Sequence, residues 1–292
     1  MASASKRRPV VLGVDARGPG RLATAWAADE ADRRGLPLLM VHAVLRAPAE
    51  PRTFAKRHAE ELHHDGRQLL DEATALVGER HPGLEVTGTL VDGNPGQVLC
   101  RASRQAELVV LGSRRLSRAE EFLSASSVAV PVSAQADCPV VVLREPEPVA
   151  QGRPYVVVGV DGSPSSAAAA DVAFDLAARR GAALRAVWVW QSPPLARVDE
   201  PATVEALRRL LAETTGGHAA RYPDVELTRE VIRGHPVEEL VKASEHALAV
   251  VVGRRGHGGF TGMRLGSLPH GLLHHAHCPV VTVPRPPDPP DA

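Results

Sequence analysis

The sequence is poor in several things, and each scarcity removes a class of function. Of its 292 residues only 3% are aromatic, so Val, Ala and Leu must fill whatever core forms. Neither charge is in excess: 34 basic residues face 34 acidic ones, and the balance holds in each half. A neutral surface argues against nucleic acid as a partner, because a strong basic excess is the usual electrostatic footprint. No apolar run approaches the roughly 18 residues of a membrane span. Lys6-Arg7-Arg8 leads into a very short apolar stretch, too short for the core of a secretion signal. The three cysteines, Cys100, Cys138 and Cys278, lie far apart and make neither a disulfide framework nor a zinc knuckle. A cytoplasmic location is the expectation. Also missing are the nucleophile elbow G-x-S-x-G, the phosphate loop G-x-x-x-x-G-K-[ST], and a G-x-G-x-x-G fingerprint after either first strand.

What the chain does have is an internal repeat. Val10-Val-Leu-Gly-Val-Asp15 recurs as Val156-Val-Val-Gly-Val-Asp161, and Gly93-Asn-Pro95 recurs as Gly234-His-Pro236. Val109-Val-Leu-Gly112 returns as Val250-Val-Val-Gly253, and Cys138-Pro-Val-Val141 as Cys278-Pro-Val-Val281. Four landmarks in one order, displaced by about 140 residues, are two copies of a whole domain rather than units of a solenoid. A Pro-rich stretch, Glu145–Pro154, reads as a semi-rigid linker. The expected domains are residues 1–147 and 148–284, followed by a disordered Pro-rich tail over 285–292.

Within the second copy, short Val-rich runs at Tyr155–Val160, Leu184–Trp190, Glu226–Ile232, Leu248–Val252 and Pro279–Val283 suit strands covered on both faces. Helical patterns at Ser163–Arg180, Thr203–Ala220, Pro236–His246 and Ser267–His277 alternate with them. Such alternation predicts an α/β class with two tandem doubly wound open parallel sheets. These sheets take ligands beyond the carboxyl ends of their strands, where the strand order reverses. The ends of strands one and four are therefore the places to look.

Strand four of the second copy runs into Gly253-Arg-Arg-Gly256-His-Gly-Gly-Phe-Thr-Gly-Met-Arg-Leu-Gly266-Ser267. Glycines permit positive φ and a close backbone approach to a ligand. Successive N–H groups form an anion nest, and the helix beginning at Gly266-Ser267 adds its donors and dipole. The plain alternative is a flexible surface loop with glycine turns.

Gly253-x2-Gly256-x9-Gly266-Ser267 resembles the nucleotide-binding signature of the universal stress protein family. So do the closing Cys278-Pro-Val-Val and the opening Val156–Ser163, and the resemblance covers nearly the whole chain as two tandem domains. It implies an adenine nucleotide alpha hydrolase-like, Rossmann-like sheet of five strands in the order 3-2-1-4-5, dimers paired through the last strand, and a regulatory role in stress. In the subset with this signature it implies bound ATP, with or without Mg²⁺. Carried over residue by residue, Asp161 holds the ribose or adenine side. Gly159 and Val160 pass beside the base, with Val189 as apolar wall. Gly253 and Gly256 donate to ribose and phosphates, and Gly266, Ser267 and Leu268 close on the phosphates. Arg254 and His257 are their side-chain neighbours. For Asp161 there is a second reading, as a cap of the next helix.

The first copy departs from the signature. Arg115 stands where the second glycine belongs, Ser126-Ser127 lie opposite Gly266-Ser267, and the intervening loop carries Glu120-Glu121 but no glycine. Gly13, Asp15 and Gly112 survive, so a weakened or lost site is expected, with Arg114 and Arg115 still able to meet a phosphate. His270, His274, His275 and His277 cluster near the last helix, with 270 and 274 at a spacing known from zinc sites. No acidic or thiolate companion is arranged with them except Cys278, and they read as a solvated face, with no metal and no catalytic residue assigned.

Three functions compete: an ATP-binding regulator, a slow ATPase or nucleotidyl-transfer enzyme using the same pocket, and a ligand-free interaction module. Each copy ends in an apolar strand that would be an edge of its own sheet, a liability that is normally covered or paired. The expectation is an intramolecular pseudo-dimer through these strands, leaving another surface for a homodimer and for a regulatory protein partner of unknown identity.

Overall fold

The protein is described by a computed structural model over residues 7–18, 20–45, 52–113, 128–144, 152–192, 199–256 and 264–286, with the backbone alone for 52–56. It divides into two compact units, Met1–Glu145 and Pro146–Ala292. In the first, the order is β1 (Val10–Gly13), α1 (Arg21–Arg34), β2 (Leu38–Val44), α2 (Arg52–Arg80), β3 (Val86–Asp92), α3 (Pro95–Ser103), β4 (Leu108–Ser113), α4 (Ala129–Gln135) and β5 (Val140–Arg144). In the second, it is β6 (Tyr155–Gly159), α5 (Pro164–Arg180), β7 (Ala183–Trp190), α6 (Glu200–Arg221), β8 (Leu227–Arg233), α7 (Pro236–Ala243), β9 (Ala249–Gly253), α8 (Ser267–His275) and β10 (Val280–Val283).

Within the first unit the strands lie in the order β3-β2-β1-β4-β5, and within the second β8-β7-β6-β9-β10. Every pairing inside each unit is parallel. Counted along each unit, that is 3-2-1-4-5, the order the resemblance implies. The central strands are Val runs sealed on both faces, as Val156–Val158 and Val250–Val252 show. The outermost β8 is half exposed, and its Glu230 takes a bidentate ion pair from Arg185 of β7 at 3.0 Å. Charge on an outer strand discourages stray pairing.

Helix boundaries follow local chemistry. α5 opens on Ser163, whose side chain accepts the N–H of Ser166 at 3.1 Å, with Pro164 in the first turn, and it stops at Gly181 in the left-handed conformation. Its inner face is Ala169, Ala170, Ala173 and Ala177, small enough to bring the helix hard against β6 and β9. α6 begins at Glu200, earlier than its apolar pattern suggests, because Asp199 caps it through the N–H of Ala202. α7 ends at Ala243. There Ser244 turns the chain, donating Oγ–H to the Val241 carbonyl at 2.6 Å and accepting the His277 N–H at 3.0 Å. Trp188 and Trp190 of β7 are both buried, as cover for the core.

Candidate functional site

The strand order of the second unit reverses between β6 and β9, and a cavity of about 380 Å³ opens there. That volume falls within the range of small-molecule sites. The chain leaves β6 at Gly159 and enters α5 through Val160-Asp161-Gly162-Ser163. Gly162 has φ of +80°, which favours glycine, and the Asp161 carboxylate accepts the N–H of Ser163 at 3.0 Å. Asp161 therefore shapes the turn, while the helix cap is Ser163. The reading of Asp161 as the helix cap is thus corrected to a brace for the turn before it, and its side chain borders the cavity.

On the facing side, β9 ends at Gly253 and the chain crosses to Gly256. A Cβ at Gly253 would strike Ser165 of α5, its Oγ at 2.7 Å and its backbone carbon at 2.8 Å. A Cβ at Gly256 would fall on the Asp161 carboxylate oxygen. Gly253 is thus required by close approach to the Ser165 backbone, whereas a Cβ at Gly256 would displace the Asp161 carboxylate; neither they nor Gly266 has the positive φ expected of a glycine loop. Gly266 is different again. Its nearest neighbours to an added Cβ are the Arg254 carbonyl and Pro269 Cδ at 3.5 Å, an ordinary contact, so nothing among the described residues demands glycine there. Its N–H donates to the Arg254 carbonyl at 2.9 Å, and its carbonyl accepts the N–H of His270 at 3.1 Å, which closes the first turn of α8. That helix begins with no side-chain cap and no acid in its first turn. Its dipole and first donors are left to any anion at the rim.

Of the positions singled out from the sequence, Gly159, Val160, Asp161, Val189, Gly253, Gly256, Gly266, Ser267 and Leu268 all line this cavity. Arg254 does not; its exposed neighbour Arg255 does. His257 lies outside the described residues. Sequence reasoning missed Ser166 at the start of α5, Gln191 just beyond β7, and His235, Val237 and Leu240 at the start of α7. Gln191 and His235 lie within two residues of strand ends, and the rule about carboxyl ends of strands was the signal that could have found them.

The first unit holds a cavity of about 430 Å³ at the corresponding place, bordered by Gly13, Asp15 and Gly112. Its chemistry has shifted. Asp15 is held by Arg17 in an exposed ion pair of 3.1 Å. Leu45 takes the place of Gln191, as the strand registers Gly13–Val41 and Gly159–Val187 show. Asn94 turns back to cap α3 through the Gln97 N–H at 3.3 Å, whereas its counterpart His235 makes no such cap. Arg114, Arg115, Ser126 and Ser127 lie outside the described residues.

Among the described residues no group of three or more His, Cys, Asp or Glu side chains is placed to hold a metal ion. Nor is any helix long and apolar enough to cross a membrane. The His270 and His274 rings of α8 lie 4.7 Å apart between centroids. Partial desolvation of its otherwise exposed ring, then the adjacent imidazoles of His274 and His275, lower the pKa of His270.

Comparison with known proteins follows this geometry. A model of the universal stress protein family matches residues 6–144 and again 154–284. The chain is 37% identical over 292 residues to a universal stress protein of Mycobacterium tuberculosis, covering 96% of this chain and 98% of that one. It is 34% identical over 294 residues to one of Mycolicibacterium smegmatis, covering 97% and 99%. A crystal structure of a universal stress protein from Archaeoglobus fulgidus shares the fold, with a TM-score of 0.73 at 18% identity over 96% of this chain and 97% of that one.

Proposed function

The chain belongs to the universal stress protein family, and from that premise we propose that its second unit binds one adenine nucleotide, ATP, and that the bound state sets the conformation or the partners of a stress-response regulator. The observation that carries this reading is Gly266. It is a glycine that no packing among the described residues requires, at the uncapped start of a helix on a cavity rim. A glycine at a helix start that faces a cavity supports a ligand that approaches the backbone closely there.

The residues present fit such a ligand. Val160, Val187, Val189 and Leu240 offer an apolar wall to a base, and Asp161 offers a carboxylate for ribose hydroxyls. Ser267 and Leu268 stand at the helix start for the phosphates, with Arg255 at the rim. Bound ATP would supply the negative charge that this uncompensated helix end lacks. Asp161 is the one acid among the described residues lining the cavity. A lone carboxylate, already engaged with the Ser163 N–H, supports binding over rapid phosphoryl transfer, which needs a held metal and a placed nucleophile.

Nucleotide released by denaturing freshly purified protein tests the reading. An adenine nucleotide near one equivalent per chain is the expected result, and an empty protein that also fails to bind added ATP overturns it. Single-turnover hydrolysis then separates the regulator from a slow ATPase.

A further inference from the structure

The repeat supplies an internal control for the last helix of the second unit. Aligned on Cys138 and Cys278, the four histidines His270, His274, His275 and His277 stand opposite Val130, Ala134, Gln135 and Asp137. Both stretches form the same element, a helix of the same unit architecture ending just before a Cys-Pro. The fold therefore does not ask for imidazole at any of these positions. Histidine is also a mediocre helix former, so a face that needed only to be polar would be better served by Glu, Lys or Arg.

The placement on α8 is specific. Pro269, Leu272 and Leu273 are its buried side, and Gly271 sits against Val237 of α7. His270 is exposed and His274 partly so, one turn apart on the outward face. Two histidines at i and i+4 on one helical face are the arrangement that grips a single zinc ion in metal-binding helices. Here the two rings are already 4.7 Å apart and inclined at 60°, side by side along the turn. His275 is further round the helix, its ring 6.3 Å from that of His274.

We infer that His270 and His274 form a two-histidine chelate for a borderline divalent cation, of the class of zinc, nickel and copper(II). Nitrogen-only donors select this class over magnesium and calcium, which take oxygen. Among the described residues these are the two ligands, which leaves the remaining positions to water in an open, exchangeable site. Its location gives it a structural consequence. The N–H of His270 closes the first turn of α8 onto Gly266, and a cation joining His270 to His274 ties that turn to the next. The chelate itself does not depend on what the neighbouring cavity binds.

The test titrates zinc, nickel and copper(II) chlorides separately into the full chain, free of any affinity tag, and into His270→Ala, His274→Ala and His275→Ala variants. All three substitutions lie outside the buried side of α8, and circular dichroism checks that the helix content is unchanged. One cation per chain should bind, copper most tightly. His270→Ala and His274→Ala should each weaken it by about tenfold or more, and His275→Ala should not. The copper(II) resonance spectrum should show two coordinated nitrogens in the wild type and one in either single variant. Unchanged affinity in His270→Ala or His274→Ala overturns the assignment, as does an equal loss in His275→Ala or the absence of micromolar binding by any of the three cations.

Discussion

Gly256 and Gly266 carry the same residue type for different reasons, and substituting each with alanine separates them. At Gly256 an added Cβ falls on the Asp161 carboxylate, so either that side chain swings away or the crossing from β9 recedes. Overpacking of this kind costs about 1–3 kcal/mol. For a unit of this size, that lowers the melting temperature by roughly 2–12 °C. At Gly266 the added Cβ meets nothing closer than 3.5 Å, and φ of −70° with ψ of 161° suits alanine. Alanine is a somewhat poorer cap than glycine, but it lowers the entropy of the unfolded chain by a similar amount, so the net change stays within about 1 kcal/mol. Nucleotide affinity should fall at least tenfold in both, about 1.4 kcal/mol or more. Thermal unfolding without nucleotide, paired with calorimetric titration of ATP, reads both effects. If Gly256→Ala melts like the wild type, the contact with Asp161 is not as described. If Gly266→Ala binds ATP unchanged, the start of α8 is not where the phosphates lie.

Other outcomes follow from named contacts. Asp161→Asn keeps a side-chain oxygen for the Ser163 N–H, so the fold should hold while ATP affinity drops about tenfold, on the scale of one hydrogen bond to a charged group; unchanged affinity would remove Asp161 from the site. Cys138 and Cys278 are buried, and that burial pushes both thiols up to about 12. In native protein a thiol reagent should therefore modify Cys100 and leave those two until unfolding, and rapid labelling of all three would contradict their burial. Burial would raise the Asp29 carboxyl, but hydrogen bonds from Arg80 at 2.5 Å and His81 at 2.7 Å outweigh it and hold the pKa down at about 2. A depressed carboxyl stabilises the fold above its unfolded value of 3.8, and that contribution is lost as pH falls toward 2. Acid unfolding of Asp29→Asn should accordingly start from lower stability at neutral pH and depend less steeply on pH between 4 and 2; identical acid curves would refute the pairing.

The fold was legible because its signals are local and repeated. Val runs bounded by glycine gave the strands of the second unit to within a residue or two, and Pro164 with Ser163 marked the start of α5. Boundaries moved where a side chain intervened: Asp199 begins α6 early, and Ser244 stops α7 short of His246. The candidate site was only half legible. Its glycine spacing is contiguous along the chain, and five residues read from it line one cavity together with four read from the first two strands of the unit. Their physical reasons were not visible, since close approach to Ser165 and Asp161 depends on how tightly α5 meets β9. Gln191 and His235 come from strands far apart in sequence and reach the cavity through topology alone. The first unit shows the limit most clearly. Its sequence lost the second signature glycine and the glycines of the loop after it, yet a cavity persists there with Asp15 bound to Arg17.

Because both units hold a cavity and only one holds the intact glycine spacing, the number of nucleotides per chain tests the account most directly. Calorimetric titration of ATP into nucleotide-free protein should give one site per chain at micromolar affinity, and Gly266→Val should remove it while leaving the fold intact. Two equal sites, or one site indifferent to Gly266→Val, would contradict the assignment to the second unit.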